Sequence, residues 1–101
     1  MSGRTEWSEI RGRRMAEPGA EAAYEAARLA FELGAAVRQL REQRGWSQSE
    51  LARAASMTQS AIARFEVGGT VPTLPVLERI AHALGVELAV GFKPKPSAAL
   101  Q

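Results

Sequence analysis

At 101 residues, 46% hydrophobic and only 6% aromatic, the chain has room for one small domain with tails, and its core must come from Ala, Leu, Val and Ile. The absence of cysteine excludes disulfides and thiolate metal sites, and no apolar run approaches the roughly 20 residues of a membrane span or the hydrophobic part of a secretory signal, so the expected location is cytoplasmic. A net charge of +2 is too small to mark a nucleic-acid binder by bulk electrostatics, which leaves the distribution of charge to be read along the chain.

Residues 1–16 contain Gly, Ser and Arg without period and read as a flexible basic arm ending at Pro18 and Gly19. Its Arg11, Arg13 and Arg14 could reach DNA phosphates or a minor groove. Trp7 with Ile10 is a candidate anchor that orders on a partner; the alternative is a basic leader with two incidental apolar residues. From Pro18 to about Arg44 the pattern is helical, with Pro at the favoured first position and Gly45 as the stop. Ala23, Ala26, Ala30, Leu33, Val37 and Leu40 form one seam spaced three and four apart.

Such a helix is longer than one small domain needs, which divides it into an extension, 17–33, and a part of the domain proper, 34–85. Tyr24, Leu29 and Phe31 lie off the seam, so the extension offers a partner or dimer surface, unless it folds back on its own domain. Gly34 stands where the two parts meet and can kink or break the helix; the sequence leaves its continuity open. All 11 acidic residues are Glu, with Glu17, Glu21, Glu25 and Glu32 in this segment, whereas Arg38, Arg41, Arg44, Arg53 and Arg64 cluster further on. An acidic stretch beside a basic centre points to two surfaces with different partners.

Residues 47–65 read as two short helices, 48–55 and 59–65, joined by a tight turn. Ser47 and Glu50 form a capping box for the first, and Thr58 caps the second. Leu51, Ala52 and Ala55 point inward from the first helix, as do Ala61, Ile62 and Phe65 from the second. Gln59, Ser60, Ala63 and Arg64 are left outward. That face has no acid and suits an approach to phosphates and base edges, Gln matching adenine and Arg guanine.

Gly68 and Gly69 end the second helix. Thr73 caps the next, with Pro75 in its first turn, Leu74, Leu77, Ile80, Ala81 and Leu84 on its buried side and Gly85 after it. His82, the single histidine, falls on the outer face with nothing converging on it. Over 86–92, Val86, Leu88, Val90 and Phe92 alternate with polar or small residues, the period of a half-buried strand. A lone strand needs a ladder partner, and the simplest is the same strand of a second copy across a two-fold axis, the alternative being a segment that covers its own core. Residues 93–101 are a flexible tail. No nucleophile with a base, carboxylate pair, metal-ligand cluster or phosphate loop is present, so neither enzyme activity, cofactor nor metal is expected.

Gly45-Trp46-Ser47-Gln48, Glu50-Leu51-Ala52, the run from Met57 to Glu66, then Gly68, Pro72 and residues 77–86 resemble the Cro and phage-repressor type (Xre family) helix-turn-helix domain over roughly residues 33–86. The resemblance implies an all-α, lambda-repressor-like bundle with the long N-terminal helix before it and the short strand after it, paired across a homodimer. It implies that Gln48 touches the phosphate backbone, that Gln59, Ser60 and Arg64 face the major groove with Thr58, Ala63 and Gly68 beside them, and that Arg41 and Glu66 form a bracing ion pair. Two departures stand out. Ser56 occupies a turn position where the family usually has Gly and where positive φ is often needed. The loop 67–71 lacks the Lys or Arg of many relatives, so phosphate contacts fall to backbone amides and residues elsewhere, and non-specific binding should be weak.

The whole arrangement is also similar to HigA-type antitoxins, which bind a small RelE-like ribonuclease and repress their own operon. The resemblance therefore implies a sequence-specific regulator of double-stranded, pseudo-palindromic DNA with a small basic toxin as partner. The alternative is a stand-alone repressor of the same family.

Overall fold

The computed structural model describes residues 19–96, which form four helices: α1 (Ala20–Gln43), α2 (Gln48–Ala54), α3 (Gln59–Glu66) and α4 (Leu74–Leu84). The arm with Trp7, and residues 97–101, lie outside the described residues. No helix among the described residues is long and apolar enough to cross a membrane.

The helix starts follow the side chains named above. Ser47 Oγ accepts from the Glu50 N–H at 3.0 Å while Glu50 Oε1 accepts from the Ser47 N–H at 2.7 Å, closing the capping box. Thr58 and Thr73 each accept from the N–H three residues on, at 3.0 and 3.4 Å. α1 begins at Ala20 and not with Pro18 at its first position, because Gly19, at φ +84°, is its cap; no side chain completes that cap.

All four helices stop by one device, a pair of reversed backbone bonds around a left-handed residue. After α2, Met57 N–H donates to the Ala52 carbonyl at 2.8 Å and Ser56 N–H to Arg53 at 3.3 Å; the same pairing recurs after α1, α3 and α4. The pivot is glycine in three of them and Ser56, at φ +57°, in the fourth. A side chain there crowds the following carbonyl and costs about 1–2 kcal/mol, which the packing around the turn must offset.

That packing is a single core. Leu51 from α2, Ile62 and Phe65 from α3 and Ile80 from α4 are the largest fully buried side chains, joined by Val37 from α1 and by Leu77 and Leu84. At seven and eight residues, α2 and α3 are too short to persist alone in water. Burying each large side chain contributes about 1.5–3 kcal/mol and holds the two helices at a fixed angle. Arg44 ties the ends of α1 and α4 together: Nη1 donates to the Leu84 carbonyl at 3.0 Å, and the guanidinium lies 4.3 Å from the Trp46 ring centroid. Leu74, expected on the buried side, is exposed, because as the first residue after the cap it projects past the end of the core.

Gly34 does not end α1, which runs unbroken for 24 residues, about 36 Å. Its missing Cβ is used instead for contact: a methyl there would strike the Phe65 carbonyl and come within 2.8 Å of that of Glu66. The end of α3 therefore rests directly on the α1 backbone. Continuity also separates the three apolar residues expected to share a surface. Tyr24 and Phe31 lie about 20° apart around the helix, whereas Leu29 is about 140–160° from either, on the side facing α4.

The strand expected at 86–92 is not formed within the single chain, where residues 86–95 are in neither helix nor strand. Leu88 packs against the core, but Val86 and Val90 are exposed and Phe92 is fully so, at 104%. A strand exists only with a ladder partner, and the described part of this chain supplies none.

Two substitutions test these arguments. Ser56→Gly should raise stability by about 0.5–1 kcal/mol, the relief of backbone strain less the greater entropy of an unfolded glycine, read as a higher melting temperature. Gly34→Ala should lower it by about 1–3 kcal/mol or more in denaturant unfolding, because the backbone of α3 must move off α1.

Candidate nucleic-acid interface

α3 has no acid in its first turn and turns Gln59, Ser60 and Arg64 to solvent, with Ala63 half-buried beside them. Thr58 is exposed at the start of the same helix, its hydroxyl held by the capping bond. These residues form one continuous polar strip on a helix whose other side is buried.

A chain of hydrogen bonds fixes one end of the strip. Glu66, the last residue of α3, is buried with its side chain 2% exposed, and Arg41 from α1, at 11%, grips it with two bonds, Nε to Oε2 at 2.7 Å and Nη2 to Oε1 at 3.0 Å. Arg41 Nη1 donates to the Trp46 carbonyl at 2.7 Å, so the guanidinium also braces the entry to α2. Hydrogen bonding to Glu66 pushes the Arg41 pKa up, against the opposing effect of burial, and keeps it charged at any ordinary pH. Glu66 Oε1 then accepts from Gln48 Nε2 at 3.1 Å, and Gln48 Oε1 accepts from Gln59 Nε2 at 2.7 Å.

The order Arg41, Glu66, Gln48, Gln59 thus runs from the interior to the surface. Each amide is oriented by the group behind it: Gln48 must present nitrogen to the carboxylate, so its oxygen faces Gln59, whose own oxygen is left for another donor. Among the described residues no buried side-chain polar atom lacks a partner.

Three of the five clustered arginines have partners within the chain, although Arg38 and Arg44 stay exposed. Arg41 serves Glu66, Arg44 serves the Leu84 carbonyl, and Arg38 pairs with Glu42 at 3.1 Å. Of the five clustered arginines, Arg53 and Arg64 are exposed and make no ion pair among the described residues. In the loop after α3, the Gly68 and Gly69 N–H groups are committed to the Phe65 and Arg64 carbonyls at 3.0 and 2.9 Å, so these two amides are unavailable to phosphate. Gly68 has φ +78° and sits beneath Phe31, where an added Cβ would lie 2.8 Å from the Phe31 Cα. Geometry alone requires glycine there.

The ion pair and the outward set were legible beforehand; the two glutamine bonds and the seat of Gly34 were not. Gln48 and Gln59 stand 11 residues apart on different helices, and nothing local links them. One signal was present: a buried carboxylate at the end of α3 needs more donors than one arginine, and Gln48 opens the neighbouring helix.

The helix-turn-helix family model matches residues 37–90. The HTH-type transcriptional regulator SutR of Escherichia coli (strain K12) is 37% identical over 70 residues, which is 69% of this chain and 39% of SutR, so the chain spans about two fifths of that relative's length. A chain in the solved HipA-HipB-O2-O3 complex superposes with a TM-score of 0.56 at 29% identity, covering 64% of this chain and 92% of its own.

Glu66→Gln, nearly isosteric, should cost about 3 kcal/mol in denaturant unfolding, because it strands the enclosed Arg41 charge. Nuclear magnetic resonance of the side-chain amides should show Gln48 and Gln59 becoming mobile in the same variant while the α3 backbone stays helical.

Proposed function

This chain belongs to the helix-turn-helix family, and we propose that it acts as a DNA-binding transcriptional regulator that sets α3 into the major groove of a pseudo-palindromic operator. The observation that carries this reading is the anchored polar strip on α3. Gln59 is pre-oriented through Gln48 by buried Glu66, and Ser60 and Arg64 follow on the same exposed face. Gln59 offers the donor and acceptor pattern that matches adenine, and Arg64 the fork that matches guanine. Gln48, half-buried at the start of α2 with one N–H of its amide still unused, is the residue assigned to a phosphate contact. Thr58, Ala63 and Gly68 border the contact. SutR, by its printed name a transcriptional regulator, supports the regulator reading.

A palindrome is read by two copies. We assign the pairing to residues 86–92, which would become a strand only in the dimer: Val86, Leu88, Val90 and Phe92 share one face of an extended chain, and antiparallel pairing would cover the three that the single chain leaves exposed. Pro94, with no N–H, would end the ladder.

The chain is further proposed to be the antitoxin of a pair that binds a RelE/HigB-like toxin and represses its own operon. The solved neighbour comes from a complex that joins HipA to HipB, which supports a protein partner. A stand-alone repressor is the second reading, in keeping with SutR, a transcriptional regulator.

Binding to the promoter DNA of the chain's own gene, measured across a salt series, tests the proposal. Gln59→Ala and Arg64→Ala should each lose about 1–3 kcal/mol, roughly 5- to 150-fold in affinity, on that sequence and much less on random DNA. Equal binding of both DNAs, insensitive to either substitution, would reject α3 as the reading element. In sedimentation, Val90→Lys should convert a dimer to monomer and weaken operator binding without changing the fold. A co-purifying product of the adjacent reading frame separates the antitoxin from the stand-alone repressor.

A further inference from the structure

The continuous α1 carries two apolar grooves on opposite sides, divided by a charged ridge. One lies against α4, has a volume of about 140 Å³, includes Leu33, Ala36 and Leu77 in its lining and continues into Val86 and Leu88. The other lies against the end of α3, has a volume of about 240 Å³ and is lined by Phe31, Ala35 and Val67 together with Arg38, Gln39 and Glu42, the first and last of which pair with each other. Phe31 is 61% and Val67 67% exposed, and Tyr24 extends the same stripe one turn pair toward the N-terminus. Glu21, Glu25, Arg28 and Glu32 fall about 40–100° around the helix from Tyr24, between this stripe and Leu29. Arg28 bonds both Glu25 and Glu32 at 2.7 Å and does not reach Glu21, so with three carboxylates and one cation the ridge keeps an excess of two negative charges.

We infer that the groove of Phe31, Ala35 and Val67 takes a basic amphipathic helix of a partner protein, on a face separate from the one where two copies meet. This rests on the reading of the chain as one with a protein partner and specifies where and how that partner docks. The stripe at 24, 31 and 35 has the spacing of a straight helical seam, which another helix matches with residues three, four and seven apart. Charge selects among occupants. DNA phosphate is repelled by the ridge. A second copy would set the same glutamates against one another. A helix with Lys or Arg beside its apolar face fits both.

The position has a consequence for the reading surface. Val67 and Gly68 close α3, Gly68 lies under Phe31, and Glu66 borders the groove while its carboxylate holds Gln48. The occupant thus touches the same end of α3 that orients Gln59.

The test titrates isotope-labelled full-length chain with two 14-residue peptides that alternate Leu with Lys, or Leu with Glu, at helical spacing. The Lys peptide should shift the backbone amides of Phe31, Ala35, Val67, Gly68 and the ridge, and bind at least tenfold tighter than the Glu peptide. Val67→Ser, and separately Glu25→Lys with Glu32→Lys, should each weaken it at least tenfold with the melting temperature and sedimentation of the chain unchanged. Shifts on the Leu33 and Leu88 side, no localised shifts, or equal binding of the two peptides would overturn the inference. Absence of a co-purifying product of the adjacent reading frame would reject the reading of a toxin partner and leave the peptide map intact, so the two outcomes are distinguishable.

Discussion

Glu66 is the buried charged residue among the described part of the chain, and a carboxylate removed from water is costly unless strong donors surround it. Arg41 supplies a two-pronged bond and Gln48 a third, so satisfying one acid joins α1, α2 and α3. Whether the ion pair adds net stability over an apolar pair of the same shape is secondary. Its larger effect is orientation: the carboxylate accepts only donors, which dictates the sense of the Gln48 amide and through it that of Gln59. A hydrophobic replacement could hold the helices together but could not pass direction outward to the surface.

Around that constraint α1 serves as the spine. Gly34 allows α3 to lie on its backbone, Arg41 fixes the end of α3 electrostatically, and Arg44 reaches across to close α4. Because the helix does not break at Gly34, the acidic extension is a rigid continuation of the core. Its orientation relative to α3 is therefore set. Flexibility between extension and domain would have blurred its faces into one sticky surface; continuity sorts them into two grooves and a ridge with different charges and neighbours. Small residues do the sorting, since Gly34 and Gly68 are where backbone meets backbone at distances no side chain permits.

Much of this was readable from residue order because it is local. Capping by Ser47, Thr58 and Thr73 and the inward faces of 51, 52, 55, 62 and 65 each depend on groups within a few residues, where spacing alone dictates who meets whom, whereas the left-handed turn at Ser56 was expected from the family resemblance. The Arg41 and Glu66 pair came from family resemblance, since nothing in residues 25 apart announces contact. Leu74 misled because a helical pattern says which side of a helix is apolar but not where the core stops along it. The strand at 86–92 differs again: alternation describes a face, while a strand is a relation between two segments, and a single chain holds only one of them.

By itself the amino-acid sequence determined the four helical segments to within a residue or two at their ends, most of the core and the outward residues of α3, since periodicity, caps and glycine stops act over a few bonds. Tertiary structure alone decided that α1 passes unbroken over Gly34, that Arg41 and Arg44 find partners on other helices, and that Gln48 relays the orientation of Gln59. Those outcomes depend on distances between backbones and on which polar groups lose water together, quantities that exist only once the helices have packed.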